Sequence, residues 1–347
     1  MTTDIRHTNA NCPMTIKNCI IHKIDRAAAG KEVKLQLKAE LNHPEGSLVS
    51  TLEQLKLTFQ RSTQKQYGLF DPNQSDNPLP ALLQEAISEK APFATISHRL
   101  MNQLKIMLDK NNEPFSAHAL FMMETLVEQD FFYILWIEHT EAAMVNSELE
   151  VNKVDYINTS RLKYALKIDM EQWKVEGWDQ YASLVINRGN KDLAEAFLGF
   201  TGFISSVDLK LQTENFLNLV DDYTETKENG ISKELKSKIV EYCIDQDSSG
   251  NPVDIQDLSS QLDQENPYEF KKFVHQQQPE TKNEIYTDRA SLKKYVRFFG
   301  RDKNLSISFS SDMYGESILY NEKEGTLTFR EIPKSLKAQL SKYSDKG

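Results

Sequence analysis

Cysteine is scarce: Cys12, Cys19 and Cys243 are the only three in 347 residues, and no two are spaced as a disulfide framework requires. Free thiols in a reducing compartment are the expectation. Long apolar runs are also missing. The longest spans residues 131–137, far short of the roughly 20 residues a membrane helix needs. The N-terminus carries Asp4, Arg6 and His7 but no apolar stretch, so no secretory signal is expected and the location read from sequence is cytoplasmic. Catalytic signatures are absent as well: HExxH, GxSxG and a phosphate-binding GxxxxGKS or GxxxxGKT do not occur, and no histidine has a second one four residues on. Neither an enzyme nor a bound metal or cofactor is expected. Finally, the chain lacks an excess of positive charge. Its 41 Lys and Arg stand against 51 Asp and Glu, a net charge of −10. A protein that held DNA through a generally positive surface would show the reverse, because phosphate neutralisation supplies most non-specific affinity. Any DNA contact must therefore be local.

What is present is ordinary globular material. Hydrophobic residues make up 39% and charged residues 27%, enough apolar side chain to bury a core and too much for disorder throughout. The length favours two domains. Residues 15–24 and 31–41 read as a hairpin with one wet face, since Val33, Leu35 and Leu37 alternate with Lys34, Gln36 and Lys38. Residues 47–59 switch to helical spacing, with Tyr67-Gly68-Leu69-Phe70 closing that region. Two more helices are expected at 82–87 and 93–108. Strands follow at 117–126 and 131–139, the second apolar on both faces as a doubly covered central strand would be. Residues 161–170 alternate strictly, and 181–186 suggests one more strand. From 191 onward helical periodicity dominates, at 192–203, 209–223, 233–244, 255–262, 267–275 and 287–300. Three short strands at 305–310, 317–320 and 326–329 end the pattern. The fold class is thus α+β: a mostly antiparallel sheet with helices in domain 1–187, then a helical domain 188–347 ending in a small three-stranded β meander.

The segment 287–300 carries the strongest charge signal. As one helix it would place Leu292, Tyr295, Val296 and Phe299 on a core-facing stripe. Arg289, Lys293 and Arg297 would then share a ridge, with Thr287 as the N-cap and Lys294, Arg301 and Lys303 adding to the same end. Between Asp288 and Lys303 six basic residues meet two acidic ones. Such a ridge can fix a protein on the phosphate backbone without reading sequence, although a solvated helix face carries the same pattern. A second group is Arg161, Lys163 and Lys167, expected on the wet face of the strand 161–170 beside Asp169. A third is Arg188 and Lys191 flanking Gly189, at an expected helix N-terminus where free N–H groups can hold a phosphate. Asp245, Asp247, Ser249 and Gly250 resemble the opening of a calcium loop, but Gln256 stands where a bidentate Glu is required, so a linker is expected. Asp221 and Asp222 are adjacent on a helix and diverge too far to share a metal. His118 and His139 could meet across the central hairpin. Trp173, Trp178 and Tyr181 could stack on bases or pack in a core.

Taken in order, YGLF at 67–70, YINTSRLKYALKIDMEQW at 156–173, VDDYT at 220–224, TDRASLKKYVRFFG at 287–300 and LSISFSSDMYGESILYNEKEGTLTF at 305–329 resemble the YejK/NdpA nucleoid-associated proteins over essentially the whole chain. The resemblance implies a nucleoid-located, non-catalytic protein that binds double-stranded DNA and is linked to topoisomerase IV. The family supplies no catalytic motif to transfer. Better-known members have a glycine-rich stretch after the last helix, where this chain has Arg301-Asp302-Lys303. Two readings of function follow. One is sequence-nonspecific DNA binding in nucleoid organisation or DNA topology. The other is a protein-interaction regulator of a DNA enzyme such as topoisomerase IV, with little direct DNA contact. A homodimer is expected in either case, since two-fold pairing is the commonest assembly.

Overall fold

A computed structural model of the protein describes residues 15–74, 77–126, 128–187, 189–227, 229–310 and 313–344. Cys12 and Arg188 lie outside the described residues. The chain is α+β and divides into two compact units, 1–208 and 209–347. That division falls about twenty residues after the 187/188 boundary read from composition, for a reason visible in the first unit.

The first unit is built on one eight-stranded sheet. Its opening elements are β1 (Thr15–Arg26), β2 (Lys34–Gln36), α1 (Ser47–Gln60), β3 (Lys65–Phe70), α2 (Leu79–Ile87) and α3 (Phe93–Leu108). Next come β4 (Phe115–Leu126), β5 (Gln129–Ile137), β6 (His139–Val145), β7 (Val151–Ile157), β8 (Tyr164–Asp169) and β9 (Ala182–Ile186). The unit closes with α4 (Lys191–Thr201) and β10 (Phe203–Ser205). The strand order is β10-β3-β9-β8-β5-β4-β1-β2, and every neighbouring pair is antiparallel. Strand β10 pairs with β3, and α4 packs on α3, so both belong to this unit despite the helical character that begins at residue 191. Residues 67–70, expected to close a helix region, are the end of β3. Gly68 makes this pairing possible, because a Cβ there would lie 1.9 Å from the Ile204 carbonyl oxygen. The strand expected over 31–41 is reduced to the three residues of β2.

Both faces of the sheet are covered. On one side Phe132, Ile134 and Trp136 of β5 meet α2, α3 and α4 through Leu83, Leu100, Leu104 and Phe197. On the other, Phe131, Tyr133, Leu135 and Ile137 meet Leu52, Leu55 and Phe59 of α1. That double cover is why β5 is a continuous apolar run. Trp173 and Tyr181 both pack on the Phe70 ring, at centroid distances of 5.6 Å and 5.5 Å, and serve the core. Strands β6 and β7 pair only with each other and form a separate two-stranded arm that the sequence pattern did not announce.

His22 sits inside the first core, 1% exposed. Its Nδ1 accepts the Lys38 backbone N–H at 3.0 Å, so its proton is on Nε2, 2.9 Å from the Ser97 hydroxyl. Burial, with the nearby His98, pushes its pKa from 6.5 down to about 4. The unfolded chain therefore binds a proton that the folded one refuses between those two values, and stability falls as pH drops through that window. The expected loss between pH 7 and pH 4.5 is about 2–3 kcal/mol from this group. Urea unfolding at the two pH values should show that component in the wild type and not in His22→Asn; equal pH dependence in the two proteins would contradict it.

The second unit is mainly helical: α5 (Leu209–Glu225), α6 (Asn229–Ser249), β11 (Val253–Asp254), α7 (Ile255–Leu262), α8 (Glu269–Gln277), β12 (Glu284–Ile285) and α9 (Arg289–Tyr295). Their apolar faces enclose a core of Phe216, Val220, Ile239, Cys243, Leu258, Phe270, Val274 and Leu292. The remainder is β13 (Arg297–Arg301), β14 (Ser306–Ser310), β15 (Ile318–Asn321), β16 (Thr326–Phe329) and α10 (Lys334–Ser344). The three strands expected at this end are present, but they do not form one meander. β14 pairs with β13, while β15 pairs with β16. The segment expected to be helical up to residue 300 supplies the extra strand.

Candidate nucleic-acid interface

Helix α9 is seven residues long and stops at Tyr295. Its N-cap is Asp288, whose Oδ2 accepts the Ser291 N–H at 2.7 Å, rather than Thr287. Leu292 is fully buried, and Tyr295 donates from its hydroxyl to Asp221 Oδ1 at 2.6 Å. Beyond it the run Val296-Arg297-Phe298-Phe299 is β-branched, long and aromatic, which suits a pleated strand. The period changes from 3.6 to 2, and Arg297 through Arg301 form β13. The single ridge of Arg289, Lys293 and Arg297 therefore does not exist. Arg289 forms an ion pair with Asp247 on α6 at 3.8 Å, and its Nε is buried without a hydrogen-bond partner. It belongs to the packing of α9.

The strand puts the other cations to a different use. In β13 and β14 the register sets Arg297 opposite Ser310, Phe298 opposite Phe309 and Arg301 opposite Ser306. Residues directly opposite share a face. One face is apolar: Phe298 and Phe309 lie 5.3 Å apart, with Tyr314 5.2 Å from Phe298 and Phe329 6.4 Å from Phe309. By register the other holds positions Arg297, Phe299 and Arg301 with Ser306, Ser308 and Ser310. The Arg297 guanidinium donates to Ser308 Oγ at 3.1 and 3.2 Å. Arg297 and Arg301 stand about 13 Å apart along the strand, so each can meet a different phosphate. The turn after β13 is held by Asp302, whose Oδ1 accepts the N–H groups of Asn304 and Leu305 at 2.8 Å each. These bonds keep its carboxyl below the usual range and leave Lys303 at the exposed tip. Lys293, Lys294, Arg297, Arg301 and Lys303 are all exposed, and no ion pair engages them among the described residues. Residues 289–347 hold twelve Lys and Arg against seven Asp and Glu, a local +5 in a chain of −10.

The second expected group separates. Strand β8 begins at Tyr164, so Arg161 and Lys163 lie in the segment leading into it. Lys163 pairs with Glu138 at 2.8 Å, and Arg161 is exposed. Lys167 is not on a wet face, because α1 covers that side of the sheet. Its ammonium sits 4.1 Å over the Phe131 ring, and burial lowers its pKa. In the third group Lys191 is exposed at the start of α4 and pairs with Glu195 at 3.5 Å. The N–H groups of Asp192 and Leu193 are taken by the Asn190 side chain at 2.9 and 3.1 Å, so they are not open to a phosphate. His118 and His139 do meet, stacked at 4.6 Å, and burial lowers the pKa of His118. Among the described residues no cluster of three or more His, Cys, Asp or Glu could hold a metal ion. No described helix is long and apolar enough to cross a membrane.

Sequence reasoning missed Arg61 at the end of α1, which the fold brings to one pocket with Arg161 and Lys163. Nothing in the local sequence links positions 100 residues apart, so only the register of the sheet could have found it.

A nucleoid-associated protein of Pseudomonas entomophila (strain L48) is 27% identical over 335 residues, covering 96% of this chain and all of the relative. A nucleoid-associated protein of Azotobacter vinelandii is likewise 27% identical, covering 96% of this chain and 99% of its own. The profile of the family described as nucleoid-associated protein YejK matches residues 20–337, which takes in the sheet of the first unit, the helical core of the second and the cationic hairpin. With nearly its whole length matched, the chain belongs to the YejK family of nucleoid-associated proteins.

Proposed function

We propose that the protein is a non-catalytic, cytoplasmic, nucleoid-located protein that binds double-stranded DNA without sequence preference. The observation carrying this reading is the exposed, unpaired set Lys293, Lys294, Arg297, Arg301 and Lys303, displayed on a short helix, a strand and a turn that are anchored by apolar contacts behind them. Arginine and lysine of this density contact phosphates, and serine hydroxyls on the same face add neutral donors to the backbone. None of the five is held by a carboxylate partner that would fix it for reading base edges. A two-fold dimer would present the segment twice. Fluorescence anisotropy on two duplexes of unrelated sequence tests the proposal: affinities should agree within a few-fold and weaken steeply with salt. A strong preference for one duplex, or affinity indifferent to salt, would overturn it.

A second reading, contact with a basic protein such as a topoisomerase IV subunit, is favoured by the arm. Val145, Leu149 and Val151 at its end are 61, 84 and 71% exposed. Residues 139–157 carry Glu141, Glu148, Glu150 and Asp155 against Lys153 alone. Exposed apolar anchors ringed by carboxylates suit a basic surface. Substituting Val145, Leu149 and Val151 with Ser should weaken capture of the purified basic subunit at least ten-fold and leave duplex binding unchanged. Capture that persists would remove the arm from this role.

A further inference from the structure

The first unit contains a pocket of about 880 Å³ between the end of α1, the turn at 61–64 and the segment 158–163 that leads into β8. The apolar residues among its lining are Leu162 and Trp136, 1 and 2% exposed. Otherwise the wall is hydroxyls and carboxamides, from Thr58, Thr140, Thr159, Asn158 and their neighbours. Three cations, Arg61, Arg161 and Lys163, line it against one carboxylate, Glu138. Lys163 neutralises that carboxylate at 2.8 Å, while Arg61 and Arg161 have no ion pair among the described residues. The pocket is therefore about two charges positive inside a unit whose 21 Lys and Arg face 27 Asp and Glu.

The wall is preformed. Thr58 Oγ1 donates to the Thr159 carbonyl at 2.5 Å, Asn158 Nδ2 to Thr140 Oγ1 at 3.1 Å, and Asn187 Nδ2 to the Leu162 carbonyl at 2.5 Å. Asn158 Oδ1 also accepts the Ser160 N–H at 3.1 Å. These bonds fix the segment that carries Arg161, so a ligand need not order it. The volume falls in the range of small-molecule sites. An apolar ligand would desolvate this polar wall without bonding to it, which disfavours one. The acidic arm, whose strands start and end at the pocket rim with Thr140 and Asn158, repels an extended polyanion lying across the opening.

We infer that this pocket binds a phosphoester of nucleotide size, with Arg61 and Arg161 on the phosphate and the Thr, Ser and Asn groups on a hydroxyl-bearing remainder. Guanidinium groups suit a phosphate through their fork of donors. The inference stands apart from the DNA reading, since it uses none of the cations at 293–303.

Isothermal titration calorimetry of the full-length protein with ATP, ribose 5-phosphate and adenosine is the test. ATP or ribose 5-phosphate should bind saturably, and adenosine should not. The double variant Arg61→Ala with Arg161→Ala should lose at least ten-fold in affinity, and Arg61→Lys with Arg161→Lys should recover part of it. Both arginines are exposed, and matching thermal unfolding of the variants and wild type would check that the fold is intact. No saturable binding of either phosphoester, or binding indifferent to the double substitution, would overturn the inference. A short duplex added to the ATP complex separates the sources: displacement identifies the phosphoester as the DNA backbone, and retention identifies it as a free small molecule.

Discussion

Replacing Lys293, Lys294, Arg297, Arg301 and Lys303 together with alanine is expected to lower duplex affinity at 0.1 M salt on the order of 100-fold or more. The magnitude follows from counterion release, in which each phosphate neutralised adds about 0.9 to the slope of log K against log salt. Removing five contacts should flatten the slope by about 4.5, and each single alanine by about 0.9. The fold should tolerate the change, because all five side chains are exposed and the apolar back of the hairpin, Phe298 on Phe309, is untouched. Arg289→Ala is the informative contrast. Its guanidinium faces Asp247 on α6, so it should leave the salt slope nearly unchanged while lowering stability. Anisotropy titrations across a salt series measure both quantities. A five-site variant with wild-type slope would mean that the chain holds DNA elsewhere.

The largest stability effect is expected at Glu124. Its carboxylate is 1% exposed in the middle of the first unit. One oxygen accepts from the Lys56 ammonium and the other from the Tyr133 hydroxyl at 2.8 Å. Lys167, enclosed over Phe131, also feels its charge, which raises the lysine's pKa against the dominant lowering by burial. Glu124→Ala deletes the negative charge from beside two enclosed cations. Breaking a buried pair from one side costs about 3–5 kcal/mol. Tyr133→Phe removes a single hydrogen bond and should cost only about 1 kcal/mol beyond small packing changes. Urea denaturation should rank the two in that order. A Glu124→Ala protein as stable as Tyr133→Phe would show that the ammonium groups find solvent, and that the cover provided by α1 opens easily.

Much of the fold was legible because period decides element type when an element has one wet face. Residues 93–108 and 255–262 carry complete apolar stripes, and α3 and α7 occupy those same ranges. The central strand was legible from the opposite feature, apolar residues on both faces of β5. The failures share a cause. Lys167 looks wet in an alternating strand, and only the long-range contact with Phe131 and the lid of α1 reveals that its side is covered. Leu292, Tyr295 and Val296 fit a helical stripe, but three residues cannot show where the helix ends. The stop is set by β14, which lies downstream and offers Phe309 to Phe298. The arm of β6 and β7 mixes charged and small apolar residues on one side, so its alternation is too weak to read. Among the cations the composition of 287–303 was visible, whereas their division between structural Arg289 and the exposed remainder depended on Asp247, forty residues away. Arg61 illustrates the same limit, since its partners in the pocket are a hundred residues distant.

The segment at 293–303 as the DNA contact is tested most directly by photo-crosslinking the full-length protein to a duplex with photoreactive backbone groups, followed by peptide mapping. Crosslinks should concentrate in peptides spanning Lys293 to Lys303. Crosslinks confined to the arm at 139–157 or to the surface of the first unit, with none in that segment, would contradict the account.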